Sequence, residues 1–155
     1  MKSFKILSTT LFALLLFSAS VSAQVDMTWD AHGVGFKVPR GFVVETNNVE
    51  EFSAGNDNVF VTIAPIQDEN ITSDDLADVV AAMVKEMDYD LVTDGDAVEV
   101  SNFTGYYVRG AKDGANAVVM ALLDPNSATN LIVVAVYSGD YERDALMIVN
   151  SFYSY

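Results

Sequence analysis

Cysteine is absent from this sequence, histidine occurs once, and basic residues are scarce. Without cysteine there are no disulfides, no thiol nucleophile and no zinc–thiolate site. With His32 as the only imidazole, a Ser-His-Asp triad would have to use it, and no G-x-S-x-G elbow accompanies it. A zinc site of the usual kind needs several His or Cys ligands, so one histidine among carboxylates makes a poor case for it. The charge balance excludes more. Eight Lys and Arg stand against 22 Asp and Glu, a formal charge of −14. Such a surface repels phosphate backbones and anionic lipid headgroups. Phosphate loops, dinucleotide fingerprints and basic patches are missing as well.

What is present begins with a leader. Lys2 and Lys5 precede an apolar run, LFALLLF (11–17), and then SASVSA, which places Val21 and Ala23 at −3 and −1 of a cleavage site. This is the three-part pattern of an export signal, and its apolar run is short for a membrane span. The expectation is a signal peptide over 1–23, cleaved between Ala23 and Gln24, and an extracytoplasmic protein, periplasmic or secreted, with no membrane insertion after cleavage. No cysteine follows Ala23 to carry a lipid anchor. The leader removes two basic residues and no acidic one, so the mature chain has six against 22, a formal −16. Residues 24–155 have the length of one domain, able to bury a core without cross-links.

Two helices are expected. In NITSDDLADVVAAMVKEMDYD, Thr72 and Asp75 form a box-like N-terminal pair, and Ile71 and Leu76 take the staple positions. Leu76, Val80, Met83, Val84 and Met87 then recur at helical spacing as one apolar face. A second helix is expected to close the chain, with Asp140 as cap and Tyr141, Ala145, Ile148 and Phe152 on its apolar stripe. The segments 58–66, 116–123 and 130–138 are short, β-branched and apolar at both parities, so they need cover on both faces of a sheet. Lys112-Asp113-Gly114-Ala115 reads as a hairpin turn with Gly114 at positive φ, and short links of this kind demand antiparallel neighbours. The expected fold class is α+β. It is an α-β-α sandwich, an antiparallel sheet of about six to seven strands with one helix on each face, in the order β-β-β-α-β-β-β-β-α.

The segment GVGFKVPRGFVV, a capped helix after the third strand, a run of hairpins and a closing helix ending in NSF together resemble the PsbP-like proteins. Phe36, Pro39 and Gly41 match the opening F-x-x-P-x-G, and Ser151-Phe152 match the closing SF. The resemblance covers nearly the whole mature chain and implies an α-β-α sandwich with a binding or accessory role. It transfers no functional residue, and photosynthetic function does not come with it.

Three segments invite chemistry. The stretch AHGVGFKVPRGF (31–42) holds His32, but its Gly33 and Gly35 suggest bends and its Phe36 and Val38 flank Lys37 as in a strand entering a sheet. The acidic run Asp88–Glu99 does not fit the calcium loop. Counted from Asp88, it places Val92 at position five and Thr93 at the glycine position; counted from Asp90, it places Val92 at three and Ser101 at twelve. Asp94-Gly95-Asp96 reads instead as a turn into the next strand. FTGYYVRG (103–110) gathers three aromatics beside Arg109, and aromatic platforms bind sugars or peptides, yet on a strand Tyr106 and Tyr107 point to opposite faces. Asn70 and Asn102 begin glycosylation sequons, which matter only in a eukaryotic secretory host.

No catalytic, cofactor-binding or metal residue is assigned. The reading best supported is an exported, non-enzymatic binding or accessory protein for a protein or small-molecule ligand. The alternatives are a divalent-cation or glycan binder, using Asp94 and Asp96 or the tyrosines, and a hydrolase whose site is scattered over carboxylates, tyrosines and His32.

Overall fold

A computed structural model describes residues 23–155, so the expected leader lies outside the described residues apart from Ala23 at its end. Five strands come first: β1 (Gln24–Trp29), β2 (Val34–Pro39), β3 (Val43–Asn47), β4 (Phe52–Gly55) and β5 (Val59–Pro65). Helix α1 (Leu76–Met87) follows, then β6 (Leu91–Val92), β7 (Asp96–Val100), β8 (Phe103–Lys112), β9 (Ala115–Leu123) and β10 (Asn130–Tyr137). Helix α2 (Glu142–Val149) and a short β11 (Tyr153–Ser154) end the chain. The expected class and layering hold, while the order gains two strands ahead of α1, one between the helices and one at the end.

The main sheet runs β3-β4-β5-β10-β9-β8-β6, and β7 pairs with the other stretch of the same edge of β8. Eight strands thus make a sheet seven positions wide. Its pairings are antiparallel. The turn at Asp113-Gly114 has φ of 51° and 81°, the paired left-handed geometry that matches the twist of a two-residue hairpin.

Parity separates two cores. Val119, Ala121, Ile132 and Val134 face α1 and bury Leu76, Val80 and Val84. Val118, Met120, Leu122, Leu131, Val133 and Ala135 face the other way, onto Ala145, Ile148 and Val149 of α2. Each helix therefore covers one face, which is why the central strands tolerate apolar residues at every position. Helix α1 begins through a 3-10 turn, Ser73–Asp75. There the Thr72 N–H and hydroxyl both donate to the Asp75 carboxylate, at 2.8 and 2.7 Å. These two bonds hold the Asp75 carboxyl below its ordinary pKa.

The second helix is shorter than its apolar spacing suggested. Asp140 does not cap it but sits inside a 3-10 turn, Gly139–Tyr141, and Tyr141 is exposed. At the other end, Asn150 Nδ2 donates to the Leu146 carbonyl at 2.8 Å, and the Ser151 hydroxyl to the Ile148 carbonyl at 2.7 Å. These side chains satisfy the last carbonyls and stop the helix. Phe152 thus leaves the helix altogether and leads into β11, which pairs with β2.

β1, β2 and β11 form a separate three-stranded sheet over the α2 face. Here the motif residues of the two chain ends meet. The Phe36 ring stacks on Phe152, centroids 4.8 Å apart at 11°, and takes Phe52 edge-on at 5.4 Å. The Lys37 N–H donates to Ser151 Oγ at 2.8 Å. All three phenylalanines are buried. Gly35 is no bend: it lies in β2 opposite Tyr153, and a Cβ there would fall 2.2 Å from the Tyr153 ring. Gly33, at φ 61°, does close a turn.

Candidate functional site

His32 lies in the 3-10 turn Asp30–His32 that joins β1 to β2. Its ring leans on Trp29 with centroids 4.1 Å apart. Its Nε2 lies 2.8 Å from the Val49 carbonyl, and Trp29 Nε1 donates to the Asn48 carbonyl at 2.7 Å. The two rings therefore pin the β3–β4 turn, and among the described residues no carboxylate or hydroxyl is hydrogen-bonded to the imidazole. That arrangement holds loops together and leaves His32 without a base's orienting partner.

The acidic run is dispersed. Asp88 ends α1 in the left-handed conformation, Asp90 donates its N–H to the Ala111 carbonyl, and Asp94 and Asp96 are exposed. Lys112 Nζ approaches Asp88 at 3.5 Å. Among the described residues no three His, Asp or Glu side chains are grouped closely enough to hold a metal ion.

One carboxylate is buried, and it lies outside these segments. Asp124, 3% exposed, heads the β9–β10 loop. It accepts from Ser154 Oγ at 2.6 Å, Ser127 Oγ at 2.9 Å, Asn102 Nδ2 at 3.1 Å and the Asn126 N–H at 2.9 Å. Burial would raise its pKa, and the bonds from Ser154, Asn126, Ser127 and Asn102 outweigh it and hold the carboxyl below its ordinary value. Asn102 also bonds the Ser154 hydroxyl, so the cluster ties the last strand to two loops. A carboxylate saturated with donors is structural in character, because its lone pairs are already committed.

The FTGYYVRG strand is where side chains gather around open space. Even-numbered residues of β8 face α1 and odd-numbered ones face α2, so Tyr106 and Tyr107 part company as the alternation requires. On the α1 face lie Tyr106 and Tyr89, the latter two residues past the helix end. Together with Val84 and Val108 they line a groove of about 460 Å³ between α1 and the sheet edge. Ala77 and Ala81, one helical turn apart, keep the helix surface low enough to leave it open. Lys85 and Asp88 supply polar groups to the groove lining.

Glycine seats both rings. A Cβ at Gly95 would come within 2.3 Å of the Tyr106 ring and hydroxyl, and one at Gly110 would lie 3.0 Å from the Tyr89 ring. The backbone beneath is fixed too. Asp90 N–H donates to the Ala111 carbonyl at 3.0 Å, and Thr93 N–H to the Arg109 carbonyl at 2.9 Å. Burial raises the Tyr89 pKa, so its phenol stays neutral at ordinary pH. The groove thus combines two aromatic walls set on fixed backbone with a few polar groups. That is the usual make-up of a small-molecule pocket, and its volume lies in the usual range.

Sequence reasoning singled out Tyr106, Tyr107 and Arg109 but missed Tyr89. It stands in the acidic run, and only the folding of that run back onto β8 brings it to the groove that Tyr106 also lines. Gly95 and Gly110 were visible as glycines, but nothing local says which ring each accepts.

No family model matches the chain, and no curated protein matches it in sequence. Among solved structures it is similar to the Ran-binding protein Mog1p of Saccharomyces cerevisiae. The TM-score is 0.57 at 8% identity, over 86% of this chain and 96% of Mog1p. A protein from Bacteroides thetaiotaomicron is similar at a TM-score of 0.49 and 10% identity, over 86% of this chain and 49% of that one. The likeness to Mog1p is one of fold: it supports the α+β layering described above and identifies no site residue.

Proposed function

We propose that this chain is an exported, non-enzymatic binding protein, distantly related to the PsbP-like proteins, and that the Tyr89–Tyr106 groove is its ligand site. The observation that carries the reading is the pair of tyrosine rings seated on Gly95 and Gly110 around a groove of about 460 Å³. Rings fixed before binding lose little entropy when a ligand arrives. The apolar walls suit a small molecule with a flat apolar face. A net charge of −16 on the exported chain disfavours anionic ligands for this groove. Ran binding, the property in Mog1p's description, gains no support here, because an 8% likeness carries over no contact residue.

The test is a ligand-observed NMR screen of protein recovered from outside the cytoplasm and beginning at Gln24, using uncharged ring compounds that include methyl glycosides. Binders are expected to shift the amides around Val84, Tyr89 and Tyr106. Tyr106→Ala should weaken them about tenfold, the range of one lost aromatic contact, while leaving the circular dichroism spectrum unchanged. A set of binders that ignores Tyr106→Ala, or protein that is never exported, would overturn the proposal.

A further inference from the structure

The expected cleavage leaves Gln24 as the first residue of the exported chain, and in the fold it is also the first residue of β1. β1 is a terminal strand of its sheet, whose order is β1-β2-β11, so its outer edge has no strand neighbour among the described residues. Gln24 itself is exposed.

The strand register fixes which way its backbone points. Gln24 lies opposite Pro39, two rungs beyond the Asp26–Lys37 pair. The Lys37 N–H donates to Ser151 Oγ at 2.8 Å, and the Lys37 carbonyl lies 3.3 Å from the same oxygen. Both groups of Lys37 therefore turn away from β1, and Asp26–Lys37 is a rung without backbone bonds. Antiparallel rungs alternate between bonded and non-bonded. Gln24–Pro39 is then non-bonded as well, in keeping with a proline that has no N–H to give. The Gln24 nitrogen accordingly points to the open edge and finds no acceptor on β2. Neither sheet pairing nor burial holds it away from its own side chain.

We propose that Gln24 is a modification site: once cleavage frees its amine, that amine closes onto the side-chain amide and gives an N-terminal pyroglutamyl lactam. The inference rests on the export reading above, since it needs the cut between Ala23 and Gln24. In the step, the amine nitrogen bonds to Cδ and the bond from Cδ to the amide nitrogen breaks. That nitrogen leaves as ammonia, carrying a proton from the amine. No oxidant, reductant or second substrate enters. The product has lost its terminal ammonium. It gives an aminopeptidase no free amine to grip, at a chain end that begins directly in an edge strand.

The test is intact mass and N-terminal sequencing of protein recovered from outside the cytoplasm. The mass should lie one ammonia below that of residues 24–155, and sequencing should be blocked until a pyroglutamyl peptidase exposes Val25. Gln24→Ala should keep its full mass and sequence directly. A second measurement tests the geometry. The chain freshly released from a cleavable fusion ahead of Gln24 should lose ammonia at the rate of a peptide beginning QVDMTW. A chain that begins at Gln24 and keeps its ammonia on prolonged incubation would overturn the proposal and leave the export reading standing. So would a folded-state rate about tenfold or more below the peptide's, the mark of a strand end that must first open. A chain that begins elsewhere would overturn the export reading and this inference with it.

Discussion

Replacing Asp124 by alanine should destabilise this protein more than any other single change to an acidic side chain. The carboxylate accepts four hydrogen bonds while almost wholly buried. A bond to a charged group contributes about 1.5–3 kcal/mol net. Asn102, Asn126 and Ser127 are exposed and regain water when released, so the loss falls mainly on Ser154 Oγ. One such bond gives about 1.5–3 kcal/mol. For a domain of this length, that lowers the melting temperature by roughly 5–10 °C. The pH dependence supplies a second, independent reading. The folded pKa lies below the unfolded value of about 3.9. The contribution is therefore complete above the unfolded pKa and disappears as pH falls through the folded one. Urea unfolding of wild type and Asp124→Ala should differ by the full amount at neutral pH and converge in acid, as pH falls through the lowered folded pKa. A difference under about 1 kcal/mol at neutral pH, against the 1.5–3 expected of even one such bond, would refute the argument. So would a gap that stays constant into acid.

Two further changes probe the fold. Phe152→Ala should cost about 3–5 kcal/mol, the usual loss for a buried phenylalanine, because Phe152 is fully buried and stacked on Phe36. Hydrogen exchange should show β11 released first, and a Phe152 that behaved as an exposed residue would contradict the packing described. Gly114→Val should cost about 1–2 kcal/mol through strain alone, since φ there is 81° and no atom lies near a new Cβ. Denaturant melts that show no loss would mean the hairpin turn adopts another geometry.

Ser151 and Phe152 show how a family-like motif can be legible while its role is hidden. The spacing from Tyr141 to Phe152 is helical, yet the helix stops at Val149 because Asn150 and Ser151 turn their side chains onto its last carbonyls. A periodicity count has no access to that competition. The segment around His32 was legible in its essentials, since Phe36 and Val38 are buried about an exposed Lys37. What the histidine does, bracing the β3–β4 turn at Val49, depends on a loop that reaches it only after the strands pair.

The sequence by itself determined the elements whose signals lie within a few residues of one another: the Thr72–Asp75 start of α1, the Asp113-Gly114 turn, and strands apolar at both parities that must be covered from two sides. Tertiary structure alone decided which residues share a space. Tyr89 and Tyr106 line one groove, each over its own glycine, Asp124 gathers Ser154 and Asn102, and Arg109 faces Glu142 across the edge of a helix. Each of those meetings depends on strand register, and a slip of one residue would send every side chain of β8 to the other face. Local chemistry selects helix, turn and strand because it acts within a turn of the chain. A site is set by register and layer packing, which join residues that the chain keeps far apart.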